Sequence, residues 1–265
     1  MSKLKNYISL CDKYNCYSYY SFCIKIPFKE MEDLLKDIKF HENVNIACRY
    51  VRKMHFDKQK HRLFQFMKQS VIPVKNDFFE ILCKNNEIDC KTFANDIIAW
   101  LECRDFKKNT LKIIGEVNSG KTLIANLFRQ VFICSNWLNS STGSAFNFGN
   151  LIYTCIIIVE EPFVPPTLTE DFKSLCGGAT LSVDVKYSTF ENLERTPVLI
   201  TSNFTNIGRG YSSLVSERAI DIRSYYYYFN SPIETKEKIT PGHLLYFLQK
   251  FETNNNGFTC RNDKK

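Results

Sequence analysis

The sequence has no long hydrophobic run and no cysteine pattern typical of a metal site or a disulfide framework. No window approaches the roughly 18 apolar residues of a membrane-spanning helix, and the start Met-Ser-Lys-Leu-Lys-Asn lacks the apolar stretch of a signal peptide. The 11 cysteines are irregularly spaced, with no Cys-x-x-Cys pair. An odd number of cysteines in mostly apolar surroundings predicts buried free thiols in a reducing compartment. We therefore expect a soluble, intracellular protein with no membrane partner.

A strong excess of charge of one sign is also missing. The sequence has 35 Lys and Arg against 28 Asp and Glu, a net charge of +7, which permits a polyanionic partner without demanding one. Hydrophobic residues are abundant, at 44% of 265 residues, with 14% aromatic residues. This composition supports a sizeable core and excludes global disorder.

The part of the chain before residue 109 is predicted to be a smaller, mainly helical region. Apolar residues at helical spacing predict helices within Phe28–Ile38, Phe78–Leu82 and Phe93–Leu101. We divide this region into residues 1–75, which are basic and aromatic with an open role, and residues 76–108, which are helical. The basic stretch Arg49–Lys68 is explained equally well as a nucleic-acid contact and as a solvated helix face.

Strand and helix patterns alternate over residues 109–253. Short, buried-type apolar runs at Leu111–Ile114, Cys155–Val159 and Val198–Thr201 predict strands, and Lys121–Phe132 has helical spacing. This alternation predicts an α/β fold with a mostly parallel sheet. Residues 254–265 form a polar tail.

A phosphate-binding loop is predicted between the first strand and the helix after it. The motif G-x-x-x-x-G-K-[ST] is matched in full by Gly115, Glu116, Val117, Asn118, Ser119, Gly120, Lys121 and Thr122. Glycines let successive N–H groups point at the phosphates, and the helix N-terminus adds its dipole. Lys121 is expected to contact the β- and γ-phosphates of ATP, and the Thr122 hydroxyl to bind Mg²⁺.

Two carboxylates, Glu160 and Glu161, directly follow the predicted strand Cys155–Val159. Carboxylates at the end of a buried strand need a cation or a catalytic role. We expect one of them, more naturally Glu160, to hold Mg²⁺ and the other to orient and deprotonate the attacking water. Which one is the base stays open, and two solvated glutamates at the start of a loop are the alternative.

These residues, taken together, resemble the superfamily 3 helicase domain of parvovirus and densovirus non-structural initiator proteins. The matching segments from about residue 92 to 229 also include Asn136-Trp137, Gly177-Gly178, Val183-Asp184, Lys186 and Thr196–Asn203. The resemblance implies an AAA+-like ATPase that assembles as a ring, a hexameric homo-oligomer, around single-stranded DNA during viral replication in the host nucleus. It also implies that residues 76–108 are an oligomerisation segment.

The resemblance assigns a sensor and a DNA contact. Asn203 becomes the polar sensor of the γ-phosphate or the water, although an asparagine at a strand end is also a common turn residue. Between Gly178 and Thr189 the relatives carry a hairpin whose basic residues grip DNA in the pore, and Lys186 matches one such position. Thr180 and Ser188 stand where relatives often have further basic residues, so we expect a weaker grip.

The resemblance also implies an arginine finger that acts across a subunit interface. Ser216-Glu217-Arg218, before the strand-like segment Ala219–Phe229, resembles the acidic-Arg pair of the family. The interval from Asn203 is short, so the sequence leaves Arg209 and Arg223 as competitors of Arg218.

A nickase is not expected from this chain. Full-length relatives carry a nickase domain with a His-hydrophobic-His metal motif, but the four histidines, His41, His55, His61 and His243, include no pair separated by one residue. A nickase is then absent or lies on another chain. The alternative functions are a P-loop ATPase for DNA packaging or protein remodelling, and a non-enzymatic nucleic-acid binder.

Overall fold

The protein is described here by a computed structural model over residues 3–137, 148–184, 191–206, 214–235 and 237–253. The strands are β1 (Thr110–Gly115), β2 (Cys134–Asn136), β3 (Ile156–Glu160), β4 (Leu181–Val183), β5 (Glu191–Leu193), β6 (Val198–Ser202) and β7 (Ser224–Phe229). Five of them form one sheet in the order β2-β3-β6-β1-β7, with every pair parallel. Strands β4 and β5 pair with each other in an antiparallel hairpin. The predicted α/β fold with a mostly parallel sheet is confirmed.

Helices cover both faces of this sheet, and the first helices of the chain form a separate unit with a core of their own. They are α1 (Lys3–Lys13), α2 (Tyr19–Lys25), α3 (Phe28–Met31), α4 (Phe40–Gln59), α5 (Leu63–Ser70), α6 (Phe78–Asn85), α7 (Cys90–Leu101), α8 (Lys121–Val131), α9 (Thr169–Cys176), α10 (Leu214–Ile222) and α11 (Pro241–Phe251). None of the helices in the described ranges is long and apolar enough to cross a membrane.

Alternation along the strands divides the core between the two faces of the sheet. On β3, Ile156 and Ile158 pack with α5 to α8 and α11, whereas Ile157 and Val159 pack on the opposite face with α9 and α10. Strands of a parallel sheet covered on both faces are apolar on both faces, which explains their continuous hydrophobic runs. Helices α6 and α7, from residues 76–108, therefore share a core with the sheet.

The N-terminal helices α1, α2 and α4 have a small core of their own, built around Tyr7 and Phe22. Two arginines on α4 connect this unit to the sheet domain. Arg49 forms an ion pair with Glu191 on β5. Arg52 donates to the Tyr153 carbonyl and to the hydroxyls of Ser135 and Thr154. Because the guanidinium of Arg52 is largely buried, its pKa is lowered by desolvation.

Two local predictions need correction. The helix predicted within Phe28–Ile38 is limited to α3, which is followed by a 3₁₀ turn at Leu34–Lys36. Met31 and Leu34 pack against the N-terminal core, whereas Phe28, Leu35 and Ile38 are exposed, so the apolar residues do not form one buried helix face. The segment Ala219–Phe229 is not one strand. Its first part continues α10 to Ile222, where buried Ile220 packs on the sheet, and only Ser224–Phe229 forms a strand.

Candidate functional site

The predicted phosphate loop connects β1 to α8 at the carboxyl edge of the sheet. Gly115 ends β1 with φ at 144°, and a Cβ there would lie 2.0 Å from the carbonyl oxygen of Phe229 on the neighbouring strand. Only glycine fits this position, because it has no Cβ and adopts positive φ without cost. Asn118 and Gly120 also have positive φ, at 60° and 94°. Residues in left-handed conformations within such a loop turn successive N–H groups inward, as in an anion-binding nest.

Backbone contacts with the segment after β7 hold this loop. The N–H of Glu116 donates to the Phe229 carbonyl at 2.8 Å, and the N–H of Ile233 donates to the Asn118 carbonyl at 3.0 Å. Inside the loop, the hydroxyl of Ser119 donates to the Glu116 carbonyl at 2.7 Å. The loop shape is therefore fixed by its own chain before any ligand binds.

The Lys121 side chain folds back over the loop. Its Nζ donates to the carbonyl oxygen of Gly115 at 2.8 Å, to that of Glu116, and to the Ser119 hydroxyl at 3.1 Å. Burial lowers the pKa of this amine, and the carboxylates of Glu161 and Glu116 act in the opposite direction. Neighbouring Thr122, in the first turn of α8, is exposed.

Glu160 ends β3 and forms an ion pair with an arginine that sequence reasoning missed. Its Oε2 accepts from Nη2 of Arg129, on α8. The same Nη2 donates to the Asn136 amide oxygen at the end of β2, at 2.9 Å. A basic residue in the last turn of α8 was the available signal, but it equally suits interaction with the helix dipole.

Glu161 turns away from β3 and contacts the end of β6. Its φ is 46°, and its N–H donates to the Thr201 carbonyl at 2.8 Å. Its carboxylate accepts from the Asn203 N–H at 2.9 Å and from the Ser202 hydroxyl at 3.2 Å. The two neighbouring glutamates therefore face different surroundings.

The strand order explains why these groups come together. Strand β6 lies between β1 and β3, with Ser202 in register with Ile114 and Thr201 in register with Glu160. The exposed Asn203 then follows β6 between the phosphate loop and the glutamates. Ligands of open parallel sheets bind outside the carboxyl ends of the strands, where these groups lie.

The arginine candidates differ in their surroundings. Arg218 on α10 is exposed. Arg223 is bound within its own subunit, because its Nη1 donates to the Ala219 carbonyl at 2.7 Å and its Nε lies near Gly177. Arg209 lies outside the described residues, and so does the predicted DNA contact Lys186, although the hairpin β4–β5 on either side of Lys186 is described.

Metal and cysteine chemistry add no second site in the described ranges. No group of three or more His, Cys, Asp or Glu there has a metal-binding arrangement. The ten cysteines of these ranges form no disulfide, and six of them are buried. This agrees with the expected buried thiols.

The known proteins that this chain resembles include proteins of adeno-associated virus 2 and of a densovirus. The chain is 29% identical over 131 residues to protein Rep52 of adeno-associated virus 2, covering 48% of this chain and 32% of the relative. It is 28% identical over 175 residues to initiator protein NS1 of Bombyx mori densovirus, covering 62% of this chain and 18% of the relative. The chain thus spans a third or less of the length of these curated relatives.

Solved structures show the same fold. A crystal structure of JCV helicase superposes with a TM-score of 0.55 at 12% identity, covering 96% of this chain and 88% of that chain. This likeness supports the α/β fold with its helical N-terminal part. A family model for parvovirus non-structural protein NS1 matches residues 2–263, so the chain belongs to the parvovirus NS1 family.

Proposed function

We propose that this chain is an ATP-dependent DNA helicase of superfamily 3 that acts in viral DNA replication in the host nucleus. It hydrolyses ATP at the subunit interfaces of a homo-oligomeric ring, a hexamer, with single-stranded DNA in the pore. One observation carries the proposal: the complete phosphate loop, Glu160, Glu161 and Asn203 lie at one edge of one parallel sheet.

The residues of the loop fit a magnesium nucleotide. Asn118 and Gly120, with their left-handed backbone, and the N-terminus of α8 supply N–H donors for phosphate. Among the described residues, the hydrogen-bond partners of Lys121 Nζ are neutral oxygens of the loop, so phosphate oxygens are stronger partners for its charge. The hydroxyl of Thr122 and the carboxylate of Glu160 offer the oxygen ligands that Mg²⁺ prefers. Bound Mg²⁺ would neutralise charge on the β- and γ-phosphates.

Glu161 is the better candidate for the general base. Its carboxylate is oriented by the Ser202 hydroxyl and the Asn203 N–H, whereas the carboxylate of Glu160 is paired with Arg129. A carboxylate held in a fixed orientation suits proton abstraction from water. The side chain of Asn203 stands beside it as the proposed sensor. The contacts around Glu160 instead suit a metal ligand with a counterion.

The ring and the DNA contact rest on the family. Arg218 is exposed, as a residue that reaches into a neighbouring subunit must be, and we propose it as the arginine finger. Lys186 is proposed to contact the DNA backbone in the pore. The helices of residues 76–108 are proposed to take part in assembly.

The deciding experiment measures ATP hydrolysis and strand displacement by the same protein. Phosphate release is followed with and without single-stranded DNA, and unwinding is followed on a forked duplex. We expect DNA to stimulate hydrolysis, and Lys121→Ala to abolish both activities. Lys107→Ala is the matched control, because Lys107 precedes β1 at the opposite edge of the sheet.

The outcomes separate the alternatives. Hydrolysis that ignores DNA, without unwinding, would identify another kind of P-loop ATPase, for packaging or protein remodelling. DNA binding without nucleotide binding would identify a non-enzymatic binder. Normal hydrolysis by Lys121→Ala would overturn the assignment of the phosphate loop.

A further inference from the structure

Arg129 is held on three sides at the edge of the proposed nucleotide site. Its Nη1 donates to the Asn126 amide oxygen at 2.7 Å, and its Nη2 donates to the Asn136 amide oxygen at 2.9 Å and to the Glu160 carboxylate. These three partners lie on three elements: Asn126 on α8, Asn136 at the end of β2 and Glu160 at the end of β3. Such a forked geometry is specific to arginine, since lysine is a point charge on a flexible stem.

The Arg129–Glu160 ion pair is partly buried, so its two charges interact more strongly than they would on an exposed surface. The exposed fractions of the two side chains are 26% and 34%, so solvent screens the pair only partly. Charge-assisted hydrogen bonds of this kind are stronger than neutral ones. The positive charge of Arg129 partly neutralises the Glu160 carboxylate, so this carboxylate attracts any other cation less strongly.

We infer that Arg129 is the counterion that Glu160 exchanges for Mg²⁺ when the nucleotide binds, and that Arg129 thereby sets the magnesium requirement of the enzyme. The inference rests on the proposed function, because it takes Glu160 as the metal ligand. Arg129 is a positioning residue, because it acts through Glu160.

Lys121 also has partners within its own loop. Its amine is satisfied by Gly115, Glu116 and Ser119, as the Glu160 carboxylate is satisfied by Arg129. Both charged groups therefore have internal partners, which avoids the cost of unpaired charge in a partly buried site. After the exchange, Asn126 and Asn136 remain as acceptors for Arg129, so the arginine is not left without partners.

The test is equilibrium binding of a fluorescent ADP analogue, titrated with Mg²⁺, in the full chain. Arg129→Gln removes the competing cation, so we expect the half-saturating Mg²⁺ concentration to fall about three- to tenfold. Lys107→Gln removes the same charge far from the site and should leave that concentration unchanged. Arg129→Lys keeps the charge but cannot reach all three oxygens, so it should give an intermediate value.

The decisive comparison repeats the substitution in a Glu160→Gln background. There Arg129→Gln should produce no shift, because no carboxylate remains to be released. An equal shift in both backgrounds would reduce Arg129 to a general charge effect and overturn the inference. Normal nucleotide binding with an unchanged magnesium requirement in Arg129→Gln would overturn the inference alone. A wild-type protein that binds no nucleotide would overturn the proposed function as well.

Discussion

The Glu161 carboxylate accepts a hydrogen bond from the backbone N–H of Asn203 at 2.9 Å, which joins the proposed base to the proposed sensor. Together with the Ser202 hydroxyl at 3.2 Å, this contact fixes Glu161 at the end of β6. Glu160, the preceding residue, instead faces Arg129. Two adjacent carboxylates with different partners should fail in different ways when each is neutralised.

We expect Glu161→Gln to lower turnover by about two to four orders of magnitude while magnesium-dependent nucleotide binding stays near normal, because a general base is lost. Glu160→Gln should also lower turnover, but with weaker magnesium-dependent binding. Turnover from phosphate release, compared with nucleotide affinity for each variant, checks this. The reverse assignment, with Glu161→Gln losing the magnesium dependence, would exchange the two roles. Normal hydrolysis by both variants would show that neither Glu160 nor Glu161 takes part in catalysis.

The ion pair of Lys112 with Asp221 predicts that removing the exposed partner destabilises the protein more than removing the buried one. Lys112 on β1 is 1% exposed, and its Nζ donates to Asp221 on α10 at 2.7 Å and lies over the Tyr226 ring. Asp221→Asn leaves a buried charge unpaired, so we expect it to lower the free energy of unfolding by about 2 kcal/mol, less than for a fully buried pair because Asp221 is 45% exposed.

Replacing the buried lysine should be much milder. Lys112→Met, alone or combined with Asp221→Asn, should stay within about 1 kcal/mol of wild type, since an apolar residue fits the buried strand. Urea denaturation of the three variants measures this. If Asp221→Asn is as stable as the double variant, water solvates Lys112 as well as Asp221 does, and the ion pair does not contribute to the free energy of unfolding.

Gly115→Ala should be more damaging than alanine at Gly177. At Gly115 the new Cβ would meet the Phe229 carbonyl oxygen at 2.0 Å, and φ is strongly positive, so both the backbone of β7 and the loop must shift. At Gly177 the nearest atom, at 2.9 Å, belongs to the flexible Arg223 side chain. We expect loss of nucleotide binding and a lower thermal midpoint for Gly115→Ala only, measured by calorimetry with and without nucleotide. Equal thermal midpoints for the two variants would show that the backbone around Gly115 and Phe229 can shift to make room for a Cβ, contrary to this prediction.

How much of this site is readable from sequence depends on how local its signals are. The phosphate loop is contiguous, and its glycines are required by backbone geometry, so the pattern predicts its position between β1 and α8. Glu160 and Glu161 follow a strand whose apolar run is unmistakable. The Arg129 cluster joins residues from α8, β2 and β3, with Arg129 and Glu160 31 positions apart, so no local pattern predicts it.

The boundary between α10 and β7 shows a second limit. The aromatic residues Tyr225–Phe229 give a strong strand signal, and the sequence pattern does not separate it from the preceding residues Ala219–Ile222. A four-residue segment carries too little periodicity to distinguish a helix end from a strand start. Burial of Ile220 against the sheet decides the helical conformation, and burial is a tertiary property.

The last prediction concerns assembly. An arginine finger acts in trans, so Arg218, exposed on α10, contributes only when a second subunit is present. It stabilises charge on the γ-phosphate, and such residues contribute roughly 10³ to 10⁵ in rate. Specific activity should therefore rise with protein concentration. Arg218→Ala and Lys121→Ala should each hydrolyse ATP poorly alone and recover activity when mixed, because one keeps the phosphate loop and the other lends its arginine.

The measurement is an ATPase titration of one inactive variant against the other, with assembly followed by light scattering. Arg223→Ala is the matched control, since Arg223 is bound to Ala219 in its own subunit. It should keep hydrolysis within about a factor of a few, because it supplies no charge to a neighbour. If Arg209→Ala and not Arg218→Ala is inactive alone and rescued by Lys121→Ala, the finger is Arg209 and the ring mechanism stands. A strictly monomeric protein with concentration-independent activity would remove the finger, and with it the ring on which the helicase proposal depends.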